Sequence, residues 1–184
     1  MKIGIRFLLI VLICINVINL IVNLRSPKRH VYIKHEVVLK DTTVISYYDT
    51  AIAMVKDFES FKSSWYNCSA GHKTIGYGTT LNVYPELKNV TCMNERTATK
   101  YLKKEFNKCL SVAREDNLIG VKALAIASFI YNVGIPKYKN STLRKLLLKG
   151  KSIKTAMRSW VYGGNKKLGG LIKRRERELK LYYL

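Results

Sequence analysis

Residues 59–80 read E-SFKSSWYN-C-SAGHK-T-IGYGTT, and this stretch decides the reading of the chain. Glu59 closes a helical pattern. Eight residues separate it from Cys68, and five more separate Cys68 from Thr74, which opens the run Thr74-Ile75-Gly76-Tyr77-Gly78. Trp65 and Tyr66 favour a strand, while Asn67, Ser69 and Gly71 favour turns. A helix that hands over to a hairpin can aim a carboxylate, a thiol and a hydroxyl into one cleft. Gly76 and Gly78 suit either a close backbone approach or a tight hairpin, and the hairpin is preferred.

Two groups flanking one bond is the arrangement that glycoside hydrolysis requires. The stretch resembles the active-site signature of the phage-type lysozymes (glycoside hydrolase family 24, the phage endolysins). That signature is Glu, eight residues, Asp or Cys, five residues, Thr, then I-G-Y-G. Further stretches resemble the family in the family's order: Ser128-Phe129-Ile130-Tyr131-Asn132-Val133-Gly134, Ser141-Thr142-Leu143-Arg144-Lys145-Leu146, Trp160-Val161-Tyr162-Gly163-Gly164 and Gly170 to Glu178. The resemblance runs from about Tyr47 onward. It implies an α+β, mainly helical, lysozyme-like fold with a small β-hairpin region and a helical lobe.

The resemblance also assigns roles. Cleaving a glycosidic bond requires protonating a poor leaving group, so Glu59 is the expected general acid, with Phe58, Phe61 and Trp65 as apolar surroundings. Alone, Glu59 would read as an exposed acid ending a helix. Cys68 stands where most of the family has Asp, and its thiolate can take the anion's role; alone it would read as an inert cysteine. Thr74 matches the third catalytic position, with a hydroxyl able to hold a water or meet the Cys68 sulfur. Alone it would be a β-branched strand residue. Thr80, Tyr131, Asn132 and Thr142 match substrate-binding positions, although Tyr131 also suits core packing. Thr79 departs from the family's usual His. Arg174 or Arg175 is expected to pair with Glu59 or with Glu178.

The rest of the chain sets bounds. With 33 Lys and Arg against 12 Asp and Glu, the formal charge is +21. That suits a polyanionic partner: a cell-wall polymer, an anionic membrane face or nucleic acid. No basic stretch beyond the N-terminal region resembles a nucleic-acid-binding motif, so nucleic acid is not expected. His30, His35 and His72 form no metal-ligand spacing and Cys-x2-Cys does not occur, so neither metal nor other cofactor is expected.

Residues 7–24 are an uncharged, mostly apolar run between basic flanks, just long enough to span a bilayer as a helix. A cleaved signal peptide and a buried core helix are the other readings. Arg25-Ser26-Pro27-Lys28-Arg29 offers no small-residue cleavage site, which favours an uncleaved signal-anchor. Asn16, Asn19 and Asn23 weaken that anchor. The expected organisation is 1–24 anchor helix, 25–46 tether and 47–184 catalytic domain.

Within 47–184, Asp49 or Thr50 can cap a helix through about Phe58. Leu81 to Thr91 reads as a loop. Asn94 caps a helix over Glu95 to Glu115, with Ala98, Leu102, Phe106 and Cys109 at helical spacing. Val121 to Tyr131 is almost wholly apolar and is the expected buried central helix, stopped by Gly134 and Pro136. Ser141 opens a short helix to Lys149, Lys151 to Trp160 is another, and Leu171 to Tyr182 is the last.

The four cysteines allow a switch. A helix between Cys92 and Cys109 would keep them about 24 Å apart, well beyond disulfide reach. Cys92 is then the better partner for Cys68, and Cys14, on leaving a membrane, could attack that bridge by thiol exchange. Buried thiols are the plainer alternative.

The expected activity is that of an endolysin, a muramidase that hydrolyses the β-1,4 bond between N-acetylmuramic acid and N-acetylglucosamine in bacterial peptidoglycan. The enzyme is expected as a monomer held at the host inner membrane through residues 7–24. Its N-terminus would lie in the cytoplasm and its catalytic domain outside, with release to the periplasm. A lytic transglycosylase and a non-catalytic basic wall- or membrane-binding protein of the same fold are the alternatives.

Overall fold

The computed structural model describes residues 46–68 and 71–184. The expected anchor and nearly all of the tether lie outside the described residues. Backbone contacts group the described residues into one compact unit. Among the described residues, no helix is long and apolar enough to cross a membrane.

Seven α-helices and five strands are described. Helix α1 spans Tyr47–Glu59. Strands β1 (Lys62–Asn67), β2 (Lys73–Gly76) and β3 (Thr79–Thr80) follow as an antiparallel sheet in the order β1-β2-β3. A 3₁₀ turn, Pro85–Asn89, leads to α2 (Glu95–Glu115), α3 (Gly120–Val133), α4 (Ile135–Lys139), α5 (Thr142–Leu148) and α6 (Lys154–Arg158). A small hairpin, β4 (Tyr162–Gly163) with β5 (Lys166–Lys167), precedes α7 (Gly169–Tyr182). The mainly helical α+β architecture agrees with the expectation from sequence.

Helix α3 is the axis of the core. Its sequence from Ala123 to Ile130 is apolar apart from Ser128, so the helix can be enclosed on all sides, and those eight residues are buried. It packs against α1, α2 and α7. Helix α2 offers one apolar face, with Ala98, Leu102, Phe106, Cys109 and Ala113 buried at helical spacing. Truncating fully buried Phe106 to alanine would cost about 3–5 kcal/mol.

The helix ends follow their side chains. The Asn94 side chain accepts from the Thr97 N–H, and the Ser141 hydroxyl accepts from the Arg144 N–H, as the sequence leads one to expect. At α1 the cap is Ser46 rather than Asp49 or Thr50: its hydroxyl accepts from the Asp49 N–H. Pro136 does not simply end α3; it sits in the first turn of α4, where its missing N–H costs no bond.

The β2–β3 turn requires glycine at position 76. Gly76 has φ +69°, and a Cβ there would lie 3.0 Å from Ala98 Cβ and 3.2 Å from Met93 Sδ. The sheet is thereby held tight against α2.

Candidate active site

Helix α1 delivers Glu59 at its last turn, and the chain then reverses at Ser60. Ser60 has φ 56° and ψ 140°, a conformation that non-glycine residues rarely adopt. The reversal turns the chain from α1 directly into β1 while its N–H still bonds to Lys56 O. Glu59 therefore sits at the joint between the helical lobe and the sheet.

On the sheet, antiparallel register places Tyr66 opposite Thr74, and Thr74 opposite Thr80. Directly opposed residues share one face, so these three form a row of hydroxyls across the strands. Burial, then the charges of Cys68 and Glu59, push the Tyr66 phenol up. Tyr66 is thus within electrostatic reach of both groups. Sequence reading had used Tyr66 only as a strand former; its register with Thr74 is what marks it as a site residue. Thr74 is buried, and its hydroxyl donates to His72 O at 2.8 Å. The oxygen keeps lone pairs with which to accept a hydrogen bond from a water or thiol. Cys68 is half-buried and follows β1 in a tight turn: its N–H donates to His72 O, and its carbonyl accepts from Gly71 N–H.

The cleft beside Glu59 is lined from the helical lobe, and Cys68, Thr74 and Thr80 are not among its lining residues. Glu59 and Asn132 line one cleft of about 420 Å³ with Phe58, Leu168, Leu171 and Arg174. Arg174 Nη1 donates to Glu59 Oε1 at 2.6 Å, and Arg174 Nε donates to Glu178 Oε1 at 3.2 Å. Arg175 reaches the second Glu178 oxygen at 2.5 Å and also donates to Asn132 Oδ1. Ser128 completes the shell of Glu178, at 2.9 Å. Burial pushes the Glu178 carboxyl up, while Arg175, Arg174 and the Ser128 hydroxyl pull against it. Phe58 lies against the Arg174 guanidinium, 5.3 Å from the ring centre. This chain of charges fixes two cleft residues from one buried centre.

The remaining expected site residues are spread. Tyr131 packs inside, with its hydroxyl donating to Tyr77 O at 3.0 Å; burial and then the charge of Glu59 push its phenol up. Thr80 is half-buried at the end of the hydroxyl row. Thr142 is exposed in the first turn of α5 and does not line the Glu59 cleft. Thr79, the departure from the family pattern, is buried and pairs with Ile75.

The disulfide weighed between Cys68 and Cys92 is not formed: Cys92 and Cys109 carry free thiols. Cys92 bridges to Ser64, and Cys68 lies four residues further along, about 13 Å at ~3.3 Å per residue. That exceeds the reach of a disulfide. Burial pushes the Cys109 thiol up to about 12. Cys14 lies outside the described residues.

An acid on a helix end, a three-stranded antiparallel sheet beside it and a helical lobe closing the cleft define a lysozyme-like fold. The muramidase domain of SpmX from Asticaccaulis excentricus has this fold, with a TM-score of 0.65 at 21% identity over 73% of this chain and 95% of that one. The phage lysozyme family profile matches residues 56–178, and the chain belongs to that family. It is 31% identical over 140 residues to an endolysin of Bacillus phage B103, covering 71% of this chain but only 51% of that protein, so it spans about half that relative's length. An endolysin of Acyrthosiphon pisum secondary endosymbiont phage 1 is 27% identical over 143 residues, 95% of its length.

Proposed function

We propose that this chain is an endolysin that hydrolyses the β-1,4 bond between N-acetylmuramic acid and N-acetylglucosamine in bacterial peptidoglycan. The observation that carries the reading is Glu59, held by buried Arg174 at the edge of a 420 Å³ cleft in a chain of the phage lysozyme family. In this reading Glu59 protonates the leaving oxygen. Cys68 and Thr74 act on the opposite side of the bond, the thiolate as anion and the hydroxyl as its partner or as the holder of water. Asn132, Thr80, Tyr131 and Thr142 serve substrate binding, with Tyr66 joining the hydroxyl row. The enzyme works as a monomer without a cofactor.

Residues 7–24 would hold it in the host inner membrane without cleavage, with the domain outside and released later. The uncharged apolar run and the basic, uncleavable flank support this. A mature N-terminus beyond residue 24, found by mass spectrometry, would overturn the anchor.

The purified chain incubated with peptidoglycan tests the activity. New reducing ends support hydrolysis. Soluble anhydro-sugar products would reassign the enzyme as a lytic transglycosylase, and sedimentation with the wall without cleavage would make it a binding protein.

A further inference from the structure

Two glycines in the wall of the Glu59 cleft are not explained by the fold. Among the described residues, the other glycines each serve the backbone or its packing. Gly163 is bare because a Cβ there would lie 2.6 Å from Leu168 Cδ1, and the rest have a positive φ. Gly169 and Gly170 have neither a positive φ nor any atom within 4 Å of where a Cβ would stand. They are the first two residues of α7. Glycine gives up more conformational freedom on folding than alanine does, so the helix alone favours alanine at both positions. Both glycines line the cavity of about 420 Å³ that Glu59 lines. The space they leave open belongs to the cleft, beside the expected acid.

Their neighbours give that space its chemistry. Leu168 and Leu171, before and after the glycines, also line the cavity. Leu168 is held in place: its N–H donates to Val161 O at 2.9 Å, and its side chain lies against the bare backbone of Gly163. Asn132 lines the same cavity, and its Oδ1 accepts from Arg175. A guanidinium only donates, so this bond fixes which way the amide points and leaves Nδ2 as the donor for a ligand. The cavity therefore joins a bare glycine wall, two leucines and one fixed amide donor.

That combination selects among the groups a wall sugar carries. A hydroxyl can use the donor but gives the leucines no partner. A carboxylate calls for a cation, and Arg174 is already engaged by Glu59 and Glu178. An acetamido group uses every part, with a carbonyl for the donor and a methyl for the apolar wall.

We propose that residues 168–171 and Asn132 form the site that reads the 2-acetamido group of the sugar bound beside Glu59. Asn132 Nδ2 donates to the acetamido carbonyl, and the methyl rests on Gly169 and Gly170 between Leu168 and Leu171. This rests on the muramidase reading and adds which substrate group the cleft selects: the N-acetylated amino sugar over the free amine.

Kinetics of the full chain on peptidoglycan strands freed of stem peptides test it, with the same strands de-N-acetylated for comparison. The parent favours the acetylated strands about tenfold or more in kcat/KM. Gly169→Ala with Gly170→Ala puts methyl groups where the acetamido methyl would lie. In this variant KM for acetylated strands rises about tenfold, more than kcat changes, while de-N-acetylated strands are little affected. The same variant unfolds about 3 °C higher, because alanine suits the helix better than glycine. A gain in stability together with a loss of substrate is not what a structural role for these glycines gives. An unchanged KM, an equal loss on both kinds of strand, or a lowered Tm overturns the proposal, as does a parent that cleaves both kinds alike. A parent that cleaves no strand overturns the muramidase reading and this inference with it, so the two failures are told apart.

Discussion

Arg174 bonds to Glu59 at 2.6 Å from a position that is itself 3% exposed. A buried cation reaching out to a cleft carboxylate cannot be replaced by solvent. Removing it with Arg174→Met leaves Glu178 short of a partner in the interior and frees the Glu59 side chain. Breaking such a pair costs about 3–5 kcal/mol, which lowers Tm by roughly 10 °C at this chain length. Thermal unfolding checks it; a Tm equal to the parent's would show that the network contributes nothing.

Glu59→Gln keeps the shape and an acceptor for Arg174 but has no proton to give. Cleavage is expected to fall at least a hundredfold with Tm little changed, as general acid catalysis contributes about 10²–10⁴-fold. Reducing-end release per mole of folded protein measures this, and activity within tenfold of the parent would remove Glu59 from its role.

At Cys68, alanine and aspartate separate anion from packing. Cys68→Asp should keep activity within about tenfold, while Cys68→Ala should lose at least a hundredfold. Equal activities in the two variants would show that no anion is needed there.

Ser60 adopts a backbone conformation suited to glycine immediately after Glu59. Ser60→Gly relieves that strain, and its gain should exceed the entropic cost of glycine, giving about 1 kcal/mol. Denaturant midpoints at constant slope give the number, and a destabilised variant would count against strain at this joint.

Asp116 links the helices of the lobe. Burial alone would push its carboxyl up, but the Arg144 fork and the Tyr138 hydroxyl outweigh this and hold it below its usual range. A folded-state value below the unfolded one means stability that is full above about pH 4 and lost as pH falls through the folded value. Asp116→Asn should flatten this acid limb of the stability curve, and an unchanged limb would place the acid sensitivity elsewhere.

Local signals were legible in the sequence. Asn94 and Ser141 announced their helices because capping is decided within four residues, and the apolar run of α3 announced the core. Features that depend on distant residues were not legible. Ser46 caps α1 from a segment that reads as tether. The β4–β5 hairpin has too few residues to show alternation. The pairing of Arg174 or Arg175 with Glu59 or Glu178 was expected, but the burial of Arg174, Arg175 and Glu178 appears only once α3 is packed against α7. Tyr66 acquires its place only through its register with Thr74. The Glu59 motif and a pairing of Arg174 or Arg175 with Glu59 or Glu178 were legible as a resemblance; that Arg174 bonds both carboxylates at once, from a buried position, was not.

The Glu59–Arg174 bond closes a loop of 115 residues. Closure over such a span is among the last contacts that a folding chain can make, because it must await both ends. A nascent chain still lacking α7 would carry the acid without the group that holds it. Closure of the Glu59 cleft thus reports that synthesis has passed α7.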